Sequence, residues 1–134
     1  MIKVLTVKEP FASLIKNRVK FIETRSWKTN YRGEIYIHSG LAKLNSNVLS
    51  RKELSNLYNM DELLFGKILC KCILVDCIYM TEEFIDEQKN KDLNNFISGR
   101  YEVGRYAWVL ENIEPIEPIA AKGKLGIWNY DLDE

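Results

Sequence analysis

The chain has 134 residues, 46% of them hydrophobic and 28% charged, and its 19 basic side chains balance 19 acidic ones for a formal net charge of zero. That length carries one ordinary core, so residues 1–134 are expected to form a single domain, and the composition excludes a disordered or low-complexity chain. No apolar run approaches the roughly 20 residues of a membrane span, and the N-terminus lacks the apolar stretch and cleavage site of a secretory signal, so no membrane contact and a cytoplasmic location are expected.

Ile2 to Val7 reads as a short apolar strand. Glu9-Pro10 then sets a helix start, with proline in the first turn where its missing N–H costs little, and Phe11, Leu14 and Ile15 make the buried stripe of a helix ending near Asn17. Lys20 to Trp27 follows as a strand, and Arg32 to His38 as another in which Ile35 and Ile37 alternate with Glu34, Tyr36 and His38. Leu41 to Leu64 reads as helical, starting near Ser46 or at a capping box formed by Ser50 and Glu53. Lys67 to Met80 is a long strand, Thr81 caps an acidic helical segment from Glu82 to Gln88, and Leu93 to Ile97 forms a short helical turn. Tyr106 to Leu110 alternates as a strand, Pro115 and Pro118 mark a loop or an edge, and Gly123 to Trp128 closes the chain. Strands at both ends with helices between them predict an α+β fold whose mostly antiparallel sheet curls into a small barrel.

Charge is unevenly spread along this neutral chain. Residues 1–52 hold eleven Lys and Arg against three acids, a net +8, which the remaining residues balance. A basic face therefore persists if folding keeps the first segment together, since salt screens charges beyond roughly 8 Å. The densest part is Lys20 to His38. Side-chain alternation puts Glu23, Arg25 and Trp27 on one side of their strand and Ile22, Thr24 and Ser26 on the other. With Lys20, Tyr31, Arg32, Tyr36 and His38, these residues set cations, a carboxylate and flat rings close together, which suits an anionic ligand with rings of its own; nucleotides fit. The competing reading is a solvated sheet face carrying a Glu–Arg pair. Arg25, Arg32 and Lys20 are the candidate phosphate holders, and Trp27, Tyr31 and Trp108 the candidate stacking rings, with Trp27 favoured because Trp108 sits in an apolar alternation. His38, the only histidine, reads either as a structural residue or as a cleft donor.

Cys70, Cys72 and Cys77 are an odd, clustered set in a strand pattern, with no second Cys or His cluster to complete a tetrahedral site, so they read as reduced packing residues; no metal and no cofactor is expected.

The run Lys20-x-x-Glu23-x-Arg25-Ser26-Trp27, with Tyr31-Arg32-Gly33 and Ile37-His38 after it, resembles the signature region of the ASCH domain family. Three further blocks in the same order support the resemblance: Lys8 to Ile15 is similar to that family's opening strand–helix element, Tyr101 to Trp108 to its later Gly-Arg-Tyr-Ala-Trp strand, and Gly126-Ile127-Trp128 to its closing strand. The chain departs from the pattern at Arg18, where the family usually has Gly, and at Glu9-Pro10-Phe11, where it usually has Gln-Pro-Trp.

The resemblance implies a PUA-like β-barrel and a cleft lined by the Lys20-Glu23-Arg25 motif that binds RNA, a nucleoside or a nucleotide. It also implies an alternative, because some relatives resemble amidohydrolases that deacetylate acetylated cytidine, with Lys20 and Glu23 here in the catalytic positions. A lysine nucleophile near pH 7 needs its pKa lowered by roughly three units, which burial and Arg18 or Arg25 favour and Glu23 opposes. A ribonuclease using His38 as an acid is a further alternative. So is a protein-interaction module docking through the acidic segment Glu82 to Asp92.

Overall fold

The computed structural model describes residues 1–132. Its strands are β1 (Ile2–Val7), β2 (Ile22–Arg25), β3 (Gly33–Ser39), β4 (Lys67–Tyr79), β5 (Tyr106–Ala120) and β6 (Ile127–Tyr130), in one sheet of order β2-β5-β4-β3-β1-β6. Only β1 and β3 run parallel, with Val4 opposite Tyr36; the other neighbours are antiparallel. The long β4–β5 pair changes register at three places, and such bulges bend strands and increase their twist, so the sheet curls into a half-barrel. This is the expected α+β architecture with a mostly antiparallel, curled sheet.

Helix α1 (Phe11–Lys16) fills the curl, with Ala12, Leu14 and Ile15 buried. Its start is tied down by Glu9, which accepts from Ser13 N at 2.8 Å, Ser13 Oγ at 2.5 Å and Leu64 N at 3.1 Å. One carboxylate thus caps the helix and anchors a loop fifty residues away. Leu5, Ile15, Ile37, Leu69 and Trp108 belong to the main core cluster, whereas Val4, Tyr36, Ile68 and Trp128 form a smaller one.

That second cluster corrects the expected polar row of β3. Ile35 and Ile37 face the main core, but Tyr36 and His38 are buried too, because Trp128 of β6 and the Ile116–Ala121 stretch cover the other side of the strand. The stretch from Leu41 to Leu64 is not one helix. It makes single turns α2 (Ser46–Leu49) and α3 (Lys52–Ser55) and a 3-10 turn at Met60–Glu62. Only Leu54 of the two turns is buried, so there is no continuous apolar stripe to hold a longer helix against the sheet. A turn does start at Ser46, capped by Asn45, but the expected capping box of Ser50 and Glu53 does not form: the N-cap of α3 is Arg51, without a side-chain cap, and Ser50 Oγ donates back to Asn47 O at 3.1 Å. Pro115 and Pro118 lie inside β5, not in a loop: β2 pairs only with Tyr106–Val109, so farther along β5 has a free outer side where a missing N–H is tolerated. Strand β2 is shorter than Lys20 to Trp27, and the closing strand begins at Ile127.

The remaining helices, α4 (Glu82–Lys91) and α5 (Leu93–Ile97), form where expected, with Thr81 accepting from Phe84 N and Asp92 from Asn95 N. All three cysteines are unpaired, and burial pushes the Cys70 thiol up to about 12 and raises Cys72 as well. Among the described residues no helix is long and apolar enough to cross a membrane.

Candidate functional site

The C-terminal end of β1, the start of α1, β2, the 98–105 segment and the 124–126 loop enclose a cavity of about 550 Å³. Its floor is a charged network. Lys20 is 1% exposed, and its Nζ donates to the Ile22 and Ser98 carbonyls, both at 2.8 Å, while lying 3.4 Å from Glu23 Oε1. The other Glu23 oxygen accepts from Arg25 Nε at 2.8 Å, and Arg25 Nη2 donates to Thr6 O at 2.7 Å. Phe11 lies beneath the ammonium, 5.7 Å from Nζ to its ring centroid.

Burial lowers the Lys20 pKa; attraction to Glu23 opposes this, and Arg25 and Arg105 reinforce it. The local fold makes the buried amine tenable by giving all three ammonium protons an acceptor. Asn95, fully buried, holds the segment in place: its Oδ1 accepts from Phe21 N at 2.8 Å and Ile22 N at 3.2 Å.

Above the floor stand Lys8, Arg51, Arg100, Arg105 and Lys124. Arg105 follows Gly104, whose φ of +93° makes the turn into β5, and its guanidinium donates to Arg100 O and Thr24 O, both at 3.2 Å. Partial burial and the nearby Arg100 work against its positive charge. Arg51 comes from the loop between α2 and α3 and donates to Ile97 O at 2.5 Å. Arg100 pairs with Glu102 at 3.1 Å on the surface. Among the described residues Glu23 is the one carboxylate lining the cavity.

A family model, the ASCH domain, matches residues 5–120. The chain belongs to the ASCH domain family. Its fold is similar to the crystal structure of ASCH from Zymomonas mobilis, with a TM-score of 0.59 at 11% identity over 98% of this chain and 88% of that one. A tyrosine-to-phenylalanine mutant of the Zymomonas mobilis protein superposes with a TM-score of 0.52 at 14% identity, covering 88% of this chain and 74% of the other. No curated protein matches the chain.

In this ASCH domain the cavity collects Lys20, Glu23 and Arg25, and of the candidate ligand-binding residues Trp27, Tyr31, Arg32, Tyr36, His38 and Trp108 none lines it. Trp27 lies past the end of β2 and packs edge-on against the fully buried Trp108 at 4.7 Å, receiving its Nε1–H on the Trp27 carbonyl at 3.3 Å. Tyr31 donates to Glu34 O at 2.6 Å, and Arg32 folds back on the Thr29 and Tyr31 carbonyls and faces Asp76 at 3.7 Å in solvent. Tyr36 is in the smaller core.

His38, 1% exposed, lies between Ala121 O at 2.7 Å from Nε2 and Thr6 Oγ1 at 3.1 Å from Nδ1. A carbonyl can only accept, so Nε2 carries the proton. Thr6 Oγ1 also accepts from Trp128 Nε1 at 3.0 Å, so it links the His38 ring to the Trp128 indole. The ring is thus engaged on both nitrogens behind the cavity wall. Among the described residues no group of His, Cys, Asp and Glu is placed to hold a metal ion.

Arg18 keeps the left-handed turn that the family's glycine would make, with φ +63°, and its Nε donates to Ile113 O at 3.0 Å, away from the cavity mouth. The rim cations form no motif in the sequence because they come from four separated segments. The available signals were Lys8 and Gly104-Arg105, which lie within the opening and later family blocks.

Proposed function

We propose that this ASCH domain binds RNA or a nucleotide in the cavity built on Lys20, Glu23 and Arg25. One observation carries the reading: among the described residues, seven cationic side chains and a single carboxylate line a nucleotide-sized cavity on a chain of zero net charge. Ligand pockets of roughly 300 to 1,000 Å³ enclose small molecules of this class. Arginine and lysine clusters with little counter-charge favour phosphates. Phosphate contact rather than ring stacking supplies the affinity, because Trp27, Tyr31 and Trp108 lie outside the cavity.

The test is binding of a labelled single-stranded oligoribonucleotide at two salt concentrations. If three phosphates are neutralised, raising salt fourfold lowers affinity roughly 20-fold. Lys124→Glu and Arg100→Glu, both at the rim, each weaken binding and flatten that salt slope. Affinity indifferent to salt and to both variants would refute the reading.

A second reading, deacetylation of acetylated cytidine by Lys20, rests on the lowered Lys20 pKa. Against it, two carbonyls and Glu23 already occupy the three directions around Nζ, so a lone pair freed by loss of a proton points at a protein oxygen and not at a substrate carbonyl. Incubation with acetylated cytidine, free and within a short RNA, separates these. The binding reading expects intact nucleoside and intact strands; deacetylation lost in Lys20→Arg assigns a hydrolase, and shortened strands assign a ribonuclease.

A further inference from the structure

Charge in the inner cavity is not balanced. Lys20, Arg25 and Arg105 meet around β2, and the carboxylate among them is Glu23, so the set carries a surplus of two positive charges. Lys20 and Arg25 share Glu23. Arg105 has no carboxylate within ion-pair distance among the described residues; its bonds go to the Arg100 and Thr24 carbonyls. Carbonyl acceptors fix a guanidinium in place without neutralising it. Each of Arg25 and Arg105 has two N–H groups engaged in the bonds described, so three of its five donors remain for a ligand.

Such a pair of pre-positioned forks suits a phosphate, and the size of the surplus selects the kind of phosphate. An internal phosphodiester brings one negative charge and leaves half the surplus in place. A phosphate monoester brings about −1.5 to −2 at neutral pH and three strong acceptor oxygens. We propose that the ligand anchored here is a terminal phosphate monoester, held between Arg25 and Arg105, as found at the end of an RNA strand or on a free mononucleotide. This rests on the nucleotide-binding reading and narrows it. Arg105 is then a specificity-determining residue, and Lys124 at the rim contributes general attraction to any anion. Arg100 and Arg25 repel Arg105 while Glu102 and Glu23 attract it, and a dianion seated between Arg25 and Arg105 adds to the attraction.

The experiment is calorimetric titration of the full chain with uridine 5′-monophosphate, with its methyl phosphate ester, and with a short oligoribonucleotide bearing either a 5′-phosphate or a 5′-hydroxyl. The monoester is expected to bind at least tenfold more tightly than the methyl ester, and the phosphorylated strand than its hydroxyl form. Arg105→Gln erases both preferences, whereas Lys124→Gln weakens every ligand alike and keeps them. If Arg105→Gln does not fold, the comparison of monoester with ester on the wild type decides alone. Tighter binding of the phosphorylated strand than of the mononucleotide assigns the site to RNA ends, and the reverse to free nucleotides. Equal affinity for monoester and ester overturns the proposal while leaving nucleotide binding intact; no binding of any of the four ligands overturns both.

Discussion

Replacing Lys20 by methionine removes a buried charge while roughly keeping its volume, and the outcome depends on which force dominates at the cavity floor. The variant loses two charge-assisted hydrogen bonds, to Ile22 O and Ser98 O, worth about 3 to 6 kcal/mol together. Glu23 keeps Arg25 as its partner at 2.8 Å and is not orphaned. Removing a desolvated ammonium offsets several kcal/mol of the loss, so the net destabilisation at neutral pH is about 2 kcal/mol. The pH dependence is the sharper part. Burial sets the Lys20 pKa below its ordinary 10.5, so between the folded and unfolded values the unfolded chain binds the extra proton. Stability from this group therefore rises with pH across that window, by about 1.4 kcal/mol for each unit of lowering. Urea unfolding of wild type and variant at about pH 7 and about pH 9.5 isolates the effect, because tyrosines and cysteines titrate alike in both proteins. The gap between the two is expected to widen at the higher pH. A gap that narrows would mean that Glu23 holds the proton on more strongly than burial expels it, and the account of the cavity floor would be wrong.

Two further substitutions probe the framework. Arg18→Gly and Arg18→Ala both lose the bond to Ile113 O, but only glycine relaxes at φ +63°, so the glycine variant should be the more stable by about 1 kcal/mol in thermal or urea unfolding; equal stabilities would remove the strain argument. In Gly123→Ala the new Cβ meets His38 Cε1 at 2.9 Å and Thr6 Oγ1 at 3.0 Å, both engaged in the Thr6–His38–Ala121 chain. A loss of about 1 to 3 kcal/mol is expected, and an unchanged melting temperature would show that the chain gives way freely.

Local chemistry was enough to locate β1, the start of α1, β4 and the capped helices α4 and α5, because each rests on interactions within a few residues: alternation, a capping oxygen, a proline at a helix start; the motif Lys20-Glu23-Arg25 came from the family resemblance. The family resemblance pointed to the barrel-like fold, which the curled sheet bears out. Alternation also put Tyr36 and His38 correctly on the side of β3 opposite Ile35 and Ile37. It could not say what covers that side, and β6 with the end of β5 turns an expected polar face into a second core. Trp27 and Trp108 illustrate the same limit, since a ring's role depends on the neighbour it packs against and here each packs against the other. The cavity itself belongs wholly to tertiary structure. Lys8, Arg51, Arg100, Arg105 and Lys124 are isolated cations along the chain, and only the curl of the sheet, with Asn95 pinning the Phe21–Ile22 backbone, brings them over one buried carboxylate. Charge concentration is a sum over distances in space, and sequence separation carries almost none of that information.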